Sequence, residues 1–160
     1  MNITYASSIT ANEVNSIRAS VGFRQIHPEQ IKAGLHGSAV VVAAYYRDVA
    51  IGMSRLIWDG GTVALIQDIL VVPQYQMQGI EIEMITRICD FLSSKLKPGY
   101  GIQVDAKVWS NQEELFEQLG FQVSTPQRRG VPMHVCLTNR IELTDAMFEQ
   151  CEFGTKEETK

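Results

Sequence analysis

The segment 65–92, with the sequence LIQDILVVPQYQMQGIEIEMITRICDFL, constrains the fold of this chain more than any other. It contains an apolar, β-branched run, a short turn with Gly79, and apolar residues at spacings of three and four, which are typical of an amphipathic helix. A helix that begins at such a turn presents the free N–H groups of its first turn and the positive end of its dipole. The segment therefore predicts an anion-binding site at the turn.

Glu81 lies directly after this predicted site and carries the wrong charge for it. A carboxylate about 5 Å from a phosphate charge costs roughly 3 kcal/mol at an effective dielectric constant near 20. That cost weakens binding on the order of a hundredfold. The alternative is that Glu81 and Glu83 lean into solvent and only favour the helix dipole, as acids in a first helical turn do.

The bulk properties predict a single, ordinary globular domain. The chain has 160 residues, 45% of them hydrophobic and 20% charged, which is enough to bury a full core. The net charge of −4 argues against a nucleic-acid surface. No apolar run approaches the length of a membrane span and the N-terminus has no signal-peptide pattern, so we expect no membrane partner. Three cysteines without paired spacing predict a reduced, cytoplasmic protein.

Strands and helices follow one another in an order that predicts a mixed α+β fold. Before the segment 65–92, patterns and turn residues predict a strand at 2–6, a helix at 10–17, a second helix from 28 to about 34 or 37, and strands at 38–46 and 49–58. Thr10 and Glu13, three residues apart, predict a capping box at the start of the first helix. A third antiparallel strand over 62–72 leads into the helix from Gln78. Later patterns predict strands at 102–109, 121–123 and 133–138 and a helix at 111–119 that ends at Gly120.

This element order, the turn at 73–79 and the segment NQEELFEQLGF over 111–121 resemble the GNAT N-acetyltransferase superfamily, and in particular its small bacterial members. The resemblance covers about residues 3–138. It implies a GNAT fold, with a mixed sheet of roughly six to seven strands and roughly four helices, and acetyl-CoA as cosubstrate. It places the domain at 1–140 and leaves 141–160 as an extension whose last residues we expect to be disordered.

The resemblance also assigns residues to the CoA site. In the family, backbone amides of a Q/R-x-x-G-x-G/A turn bind the pyrophosphate, and the preceding strand pairs with the pantetheine arm where it separates from its neighbour. Carried over to this chain, the cofactor-binding residues are Ile69, Leu70, Val71, Gln76, Met77, Gln78, Gly79, Ile80, Glu81, Asn111 and Phe116. Two of them depart from the pattern, because Glu81 replaces a small residue and Phe116 replaces a tyrosine that often protonates the leaving thiolate.

Transfer to an amine needs a group that accepts its proton, and three residues are candidates. Asp68 lies in the strand before the turn, where strand periodicity places it on a face with Ile66 and Leu70; apolar neighbours would raise its pKa. The alternative is a structural acid bonded to a loop amide. Glu117 and His134 are weaker candidates, because Glu117 fits a solvated helix face and a strand histidine is more often structural.

The remaining candidate residues give weaker support for a metal site, an acceptor pocket or a CoA contact. No histidines or cysteines share metal-ligand spacing, so we expect no metal. The aromatic residues Phe23, Tyr45, Tyr46 and Trp58 are candidates for the wall of an acceptor pocket, although strand aromatics are more often core. Helix capping explains Asn111 as well as a CoA contact does.

The predicted function is direct acetyl transfer from acetyl-CoA to a primary amine of a small molecule or a peptide. One alternative is a regulatory module that binds CoA but has lost its chemistry, which Glu81 and Phe116 favour. Another is a structural subunit, since domains of this family often dimerise through late strands. The segment 133–143 and an apolar stripe over 141–148 would then form a homodimer interface.

Overall fold

The computed structural model describes residues 1–108 and 112–123. The sequence features outside these ranges are Asn111, His134, the strand predicted at 133–138, the proposed dimer segment and the boundary near 140. These remain predictions. Among the described residues, no helix has the length and apolar character that crossing a membrane requires.

Five strands form one mixed sheet in chain order. They are β1 (Thr4–Ala6), β2 (Val40–Tyr46), β3 (Val49–Trp58), β4 (Val63–Val71) and β5 (Gln103–Ala106). Neighbours from β1 to β4 are antiparallel, and β5 is parallel to β4. The predicted meander of three antiparallel strands is therefore confirmed, and so is the mixed α+β class.

Four α-helices accompany the sheet in the described part of the chain: α1 (Ala11–Ser20), α2 (Pro28–His36), α3 (Ile80–Ser93) and α4 (Glu113–Gln118). The predicted capping box is confirmed, because the Thr10 side chain accepts from the Glu13 N–H and the Glu13 carboxylate accepts from the Thr10 N–H. Pro28 occupies the first turn of α2, and Gly37 caps its end.

The hydrophobic core has two parts, one on each side of the sheet. On one side, α3 contributes the fully buried Met84, Ile85 and Ile88, which pack with Ile66 and Ile69 of β4. On the other side, Ile17 of α1 packs with Met53 of β3 and Leu70 of β4. The central strands are covered on both faces, as their near-continuous apolar sequences predict.

The prediction of a short strand at 121–123 is wrong, because these residues form no strand in the described structure. The Phe121 N–H instead donates to the Phe116 carbonyl at 3.0 Å, and the two rings pack edge to face at 5.2 Å. The segment therefore closes the C-terminal end of α4, where Gly120 adopts a left-handed φ of 86°.

Candidate functional site

The strand β4 contains a bulge that opens the site. Met53 pairs with Leu70 but Arg55 pairs with Gln67, so β4 has one more residue than β3 across this interval. Asp68 lies in the bulge with a φ of 54°, which is unusual for a residue other than glycine. The bulge changes the alternation of the strand, so that Ile66 and Ile69, three residues apart, both face α3.

The bulge corrects the predicted environment of Asp68. Asp68 lies near α1, on the side of Leu70 and opposite Ile66, and its neighbours are charged rather than apolar. Its carboxylate accepts a hydrogen bond from Arg55 Nε at 2.5 Å and lies 3.9 Å from an Arg18 guanidinium nitrogen. Arg55 also donates to the Gly34 carbonyl of α2. These contacts favour the structural alternative, with guanidinium groups in place of the loop amide.

β4 has an open edge beyond the bulge. Its parallel pairing with β5 ends at Ile66 and Ala106, so residues 69–71 have no β5 partner within the described ranges. On the other edge, β4 still pairs with β3 through Leu70 and Val71. Apart from the Val71 carbonyl, which accepts from the Gln76 side chain, the backbone groups of 69–71 that point away from β3 are therefore available to an extended ligand.

The turn between β4 and α3 leads directly into the helix, as the sequence predicts. Met77 and Gly79 adopt left-handed φ values of 60° and 81°, and α3 begins at Ile80 with no side-chain cap. A Cβ added at Gly79 would meet no described atom within 4 Å, so the space above the turn is open as far as the described residues go. Gln76 supports the turn by donating from Nε2 to the Val71 carbonyl at 2.9 Å. Successive N–H groups in this conformation form a concave anion site.

One cavity of about 500 Å³ joins the turn to the open edge of β4. Its lining residues come from four parts of the chain: Val21, Phe23, Ile69, Leu70, Val71, Gln76, Met77, Gly79, Glu81, Ile82, Gln112, Glu114, Leu115 and Gln118. Its charged lining consists of Glu81 and Glu114, and no lysine, arginine or histidine belongs to this described set.

The cavity brings together seven of the eleven predicted CoA-site residues, namely Ile69, Leu70, Val71, Gln76, Met77, Gly79 and Glu81. The other predicted CoA-site residues in the described structure lie outside the lining of the cavity. Gln78 donates from its side chain to the Gln74 carbonyl, and the Ile80 side chain lies in the core. Phe116 is also buried in the core, against Phe121, while its neighbour Leu115 lines the cavity.

The two predicted catalytic bases within the described ranges do not line the cavity. Asp68 lies next to the cavity residue Ile69 but does not line the cavity, and Glu117 is exposed on α4. Among the aromatic residues, Phe23 lines the cavity, whereas Tyr46 packs against Tyr75 and Trp58 against Phe91. Within the described ranges, no cluster of His, Cys, Asp or Glu has the form of a metal site.

The family resemblance placed Phe116 of α4 at the CoA site, but the residues of this region that line the cavity are its neighbours Gln112, Glu114, Leu115 and Gln118. Gln112, Leu115 and Gln118 are spaced by three residues, so they share one face of the helix. That spacing is visible in the sequence, but nothing local shows which part of the fold this face meets.

Glu81 does not face solvent, in contrast to one of the two alternatives that the sequence left open. Its side chain is buried, with 4% of the residue exposed, and its Oε2 has no hydrogen-bond partner among the described residues. Burial raises the pKa of Glu81, while backbone N–H groups of Glu81 and Met77 act in the opposite direction. The alternative in which Glu81 leans into solvent is therefore wrong. A signal was present, because Glu81, Ile85, Ile88 and Leu92 form one buried stripe at spacings of four, three and four.

Comparisons with known proteins agree with this geometry. A family model described as an acetyltransferase (GNAT) domain matches residues 5–135. No curated protein matches the chain significantly. Among solved structures, a probable acetyltransferase of unknown function from meticillin-resistant Staphylococcus aureus is 24% identical, with a TM-score of 0.73, and the match covers 84% of this chain and 100% of that one.

Two further structures share the fold at lower identity. A GNAT family acetyltransferase from Streptococcus pneumoniae is 21% identical with a TM-score of 0.63, over 87% of this chain and 98% of that one. The N-acetylglutamate synthase from Neisseria gonorrhoeae, complexed with coenzyme A and L-arginine, is 16% identical with a TM-score of 0.60. That match covers 82% of this chain and 29% of the synthase.

Proposed function

Since the chain belongs to the GNAT acetyltransferase family, we propose that it transfers the acetyl group of acetyl-CoA directly to a primary amine of a small molecule or a peptide. The observation that carries this proposal is the cavity of about 500 Å³ that joins the turn before α3 to the open edge of β4. An anion site and a free strand edge in one cavity suit a ligand with a diphosphate at one end and an amide-bearing arm at the other.

In this proposal the backbone supplies most of the binding groups. The N–H groups at the start of α3 and in the turn at 77–79 bind the diphosphate. The free edge of residues 69–71 pairs with the amides of the arm, and an N–H near Leu70 holds the thioester oxygen. When bound, acetyl-CoA supplies an acyl group activated as a thioester.

The acceptor amine must lose a proton for the transfer to occur. Asp68 is the one predicted base that lies in the bulge beside the cavity, but its carboxylate is held by Arg55 and Arg18. We propose that Asp68 positions the bulge and that the proton leaves through solvent. The leaving thiolate also relies on water, because the Phe116 ring carries no proton to donate and is buried in the core.

A second candidate function is a CoA-binding module without turnover. Two observations favour it, namely the buried carboxyl of Glu81 in the cavity and the phenyl ring of Phe116 at the position of the family's frequent acid. Binding and turnover therefore have to be measured separately.

The test compares two glycine substitutions that impose the same backbone strain. Gly79 and Gly60 have φ values of 81° and 80°, and in the described structure an added Cβ would meet nothing within 4 Å at either site. Gly60 lies in the turn between β3 and β4 and does not line the cavity. We expect Gly79→Ala to weaken acetyl-CoA binding, measured by titration calorimetry, on the order of tenfold or more, because it disturbs the anion site and fills space above it.

Gly60→Ala should lower stability to a similar extent and leave binding unchanged. Equal effects of the two variants on binding would contradict the proposed site. An acetyl-CoA consumption assay across a panel of amines then separates the two functions, since saturable binding without turnover supports the binding module.

A further inference from the structure

The cavity combines backbone groups that attract an anion with side chains that repel one. Residues of the turn at 77–79 and of the first turn of α3 line it, and the N–H groups of a first helical turn have no partner within the helix, whereas its only charged lining residues in the described chain are Glu81 and Glu114. A diphosphate bound here has no basic side chain among these lining residues to balance its charge. Negative charge on these carboxyls therefore opposes its binding.

Glu81 and a bound phosphate would use the same donors. The backbone N–H groups of Glu81 and Met77 are close enough to the Glu81 carboxyl to act on its pKa, and Met77 and Gly79 line the cavity with it. The ionised side chain thus acts as an internal anion at the site. A phosphate that arrives while Glu81 is ionised meets a like charge in a buried environment.

A proton removes this conflict and adds a contact. Glu81 Oε2 is buried without a hydrogen-bond partner in the described structure, so a protonated carboxyl has a free O–H to donate. A phosphate oxygen accepts such a bond strongly. We propose that this protein takes up one proton from solvent at Glu81 when it binds the diphosphate of CoA, so that its affinity for CoA falls as pH rises.

This inference rests on the proposed function, since it requires CoA as the ligand. The burial of Glu81, its unpartnered oxygen and its place in the cavity carry it, and the direction of its pKa agrees, because burial already favours the protonated acid.

In the described part of the chain, few other ionisable groups lie around Glu81. Glu114 of α4 lines the same cavity and is exposed. From β1, Tyr5 interacts electrostatically with Glu81. On α3 itself, Glu83 is bonded to Arg87 at 2.8 Å, so its charge is balanced.

The groups on the α1 side are engaged elsewhere. Arg18 stacks over Phe23 at 5.4 Å and lies near Asp68, and Arg55 binds the same carboxylate. The residues of β4 that line the cavity are apolar, and Gln76 and Met77 of the turn do not ionise. Glu114 is therefore the rival for any pH dependence of binding.

The experiment measures the dissociation constant of 3′-dephospho-CoA by calorimetry from about pH 6 to about pH 8. This probe lacks the phosphate monoester of CoA, which itself titrates near pH 6 and would obscure the result. Calorimetry in buffers of different ionisation enthalpy also counts the protons taken up. We expect the wild-type affinity to fall about tenfold per pH unit above the pKa of Glu81, with uptake of about one proton.

Glu81→Gln should abolish both the slope and the proton uptake and bind the probe about tenfold or more tightly than the wild type near pH 8. Glu81→Ala serves as a second neutral variant if the glutamine variant does not fold. Glu83→Gln is the matched control in the same helical turn, and we expect it to keep the wild-type slope.

Equal pH dependence in the wild type and Glu81→Gln would overturn the inference and leave the proposed function intact. A slope that disappears in Glu114→Gln instead would also overturn it. No binding of the probe by any variant at any pH would refute CoA as the ligand, and the proposed function would fail with the inference.

Discussion

At the residue scale, Glu81 and Asp68 show how burial and charge partners decide the role of a carboxyl group. Glu81 lies in a buried site with no cation among its described lining residues, and its Oε2 has no hydrogen-bond partner in the described structure. Asp68 lies between two guanidinium groups at a bulge. Both carboxyls border the same region of the fold, yet only Glu81 lines the cavity.

The buried carboxyl of Glu81 should make folding stability depend on pH. Because burial raises the pKa of Glu81, the folded protein holds this proton more tightly than the unfolded chain. Its contribution is fully favourable below the unfolded pKa and is lost as pH rises through the folded pKa. We therefore expect Glu81→Gln to gain stability relative to the wild type as pH rises from the unfolded pKa to the folded pKa, by about 1.4 kcal/mol per unit of pKa elevation.

Urea unfolding of both proteins across this range measures the effect. A stability difference between variant and wild type that stays constant with pH would mean that Glu81 titrates alike in the folded and unfolded states.

Asp68→Asn should destabilise the fold because it removes the negative charge that faces Arg55 and Arg18. The side chains of Asp68 and Arg55 are both 22% exposed, so the expected loss is on the order of 1–3 kcal/mol by urea unfolding. Asp90→Asn, at an exposed position of α3, is the matched control and should change stability little.

The same variant distinguishes a positioning role of Asp68 from a catalytic one. If Asp68 only positions the bulge, the kcat of Asp68→Asn falls at every pH while the shape of its pH profile is kept. Loss of the acidic limb of that profile would identify Asp68 as the base.

At the element scale, β3 and β4 approach α3 closely at Gly52. A Cβ at this position would lie 3.0 Å from the Leu70 carbonyl oxygen and 3.2 Å from Val71 Cγ2, with Ile80 of α3 just beyond. The first contact is with backbone at the open part of β4, which cannot move without disturbing the cavity. Gly52 therefore sets the distance between the sheet and the start of α3.

We expect Gly52→Ala to cost about 1–3 kcal/mol of stability by overpacking and to weaken CoA binding with it. Gly101→Ala is the control, since an added Cβ there meets nothing within 4 Å. Chemical unfolding and calorimetry of the two variants provide the measurements. A Gly52→Ala protein as stable as Gly101→Ala would show that the strands separate without cost.

The connection between α1 and α2 depends on one buried amide. Asn15 donates from Nδ2 to the Ile26 carbonyl and accepts from the Ile26 N–H, both at 2.9 Å. Asn15→Ala leaves these backbone groups without their partner, so we expect a loss of about 1–3 kcal/mol in thermal or urea unfolding. Asn12→Ala, exposed on the same helix, should be nearly neutral; similar losses in both variants would place the effect in helix propensity instead.

At the scale of the whole molecule, the cavity is assembled from the α1–α2 connection, β4, the turn before α3, and α4. A ligand that contacts all four should stabilise the folded chain as a unit. With acetyl-CoA at about a hundred times its dissociation constant, the expected gain is about 2.7 kcal/mol. For a chain of this size, that raises the Tm by roughly 5–10 °C.

Differential scanning fluorimetry near pH 6 measures this shift. Gly60→Ala should keep the shift, whereas Gly79→Ala should lose most of it. An unchanged Tm at saturating acetyl-CoA would mean that the folded chain does not bind it.

Local patterns in the sequence were enough for most elements. Apolar spacings of three and four placed α3, the Thr10–Glu13 pair marked the start of α1, and turn residues separated β2, β3 and β4. Each of these features depends on residues a few positions apart, which interact whatever the rest of the chain does. The strand–turn–helix segment and its family resemblance were sufficient for the fold class and for the turn that leads from β4 into α3.

Tertiary structure alone decided the faces and partners of the site residues. The bulge at Asp68 arises from pairing with β3, so strand alternation counted from the sequence put Asp68 among the wrong neighbours. The face of α4 that lines the cavity depends on where the helix packs. The sequence periodicity places Glu81 on the buried stripe of α3. It does not show whether its carboxyl contacts water, a cation or neither, because residues distant in the chain decide that. The turn and its helix were thus determined locally, while the charge balance of the cavity was determined by long-range packing.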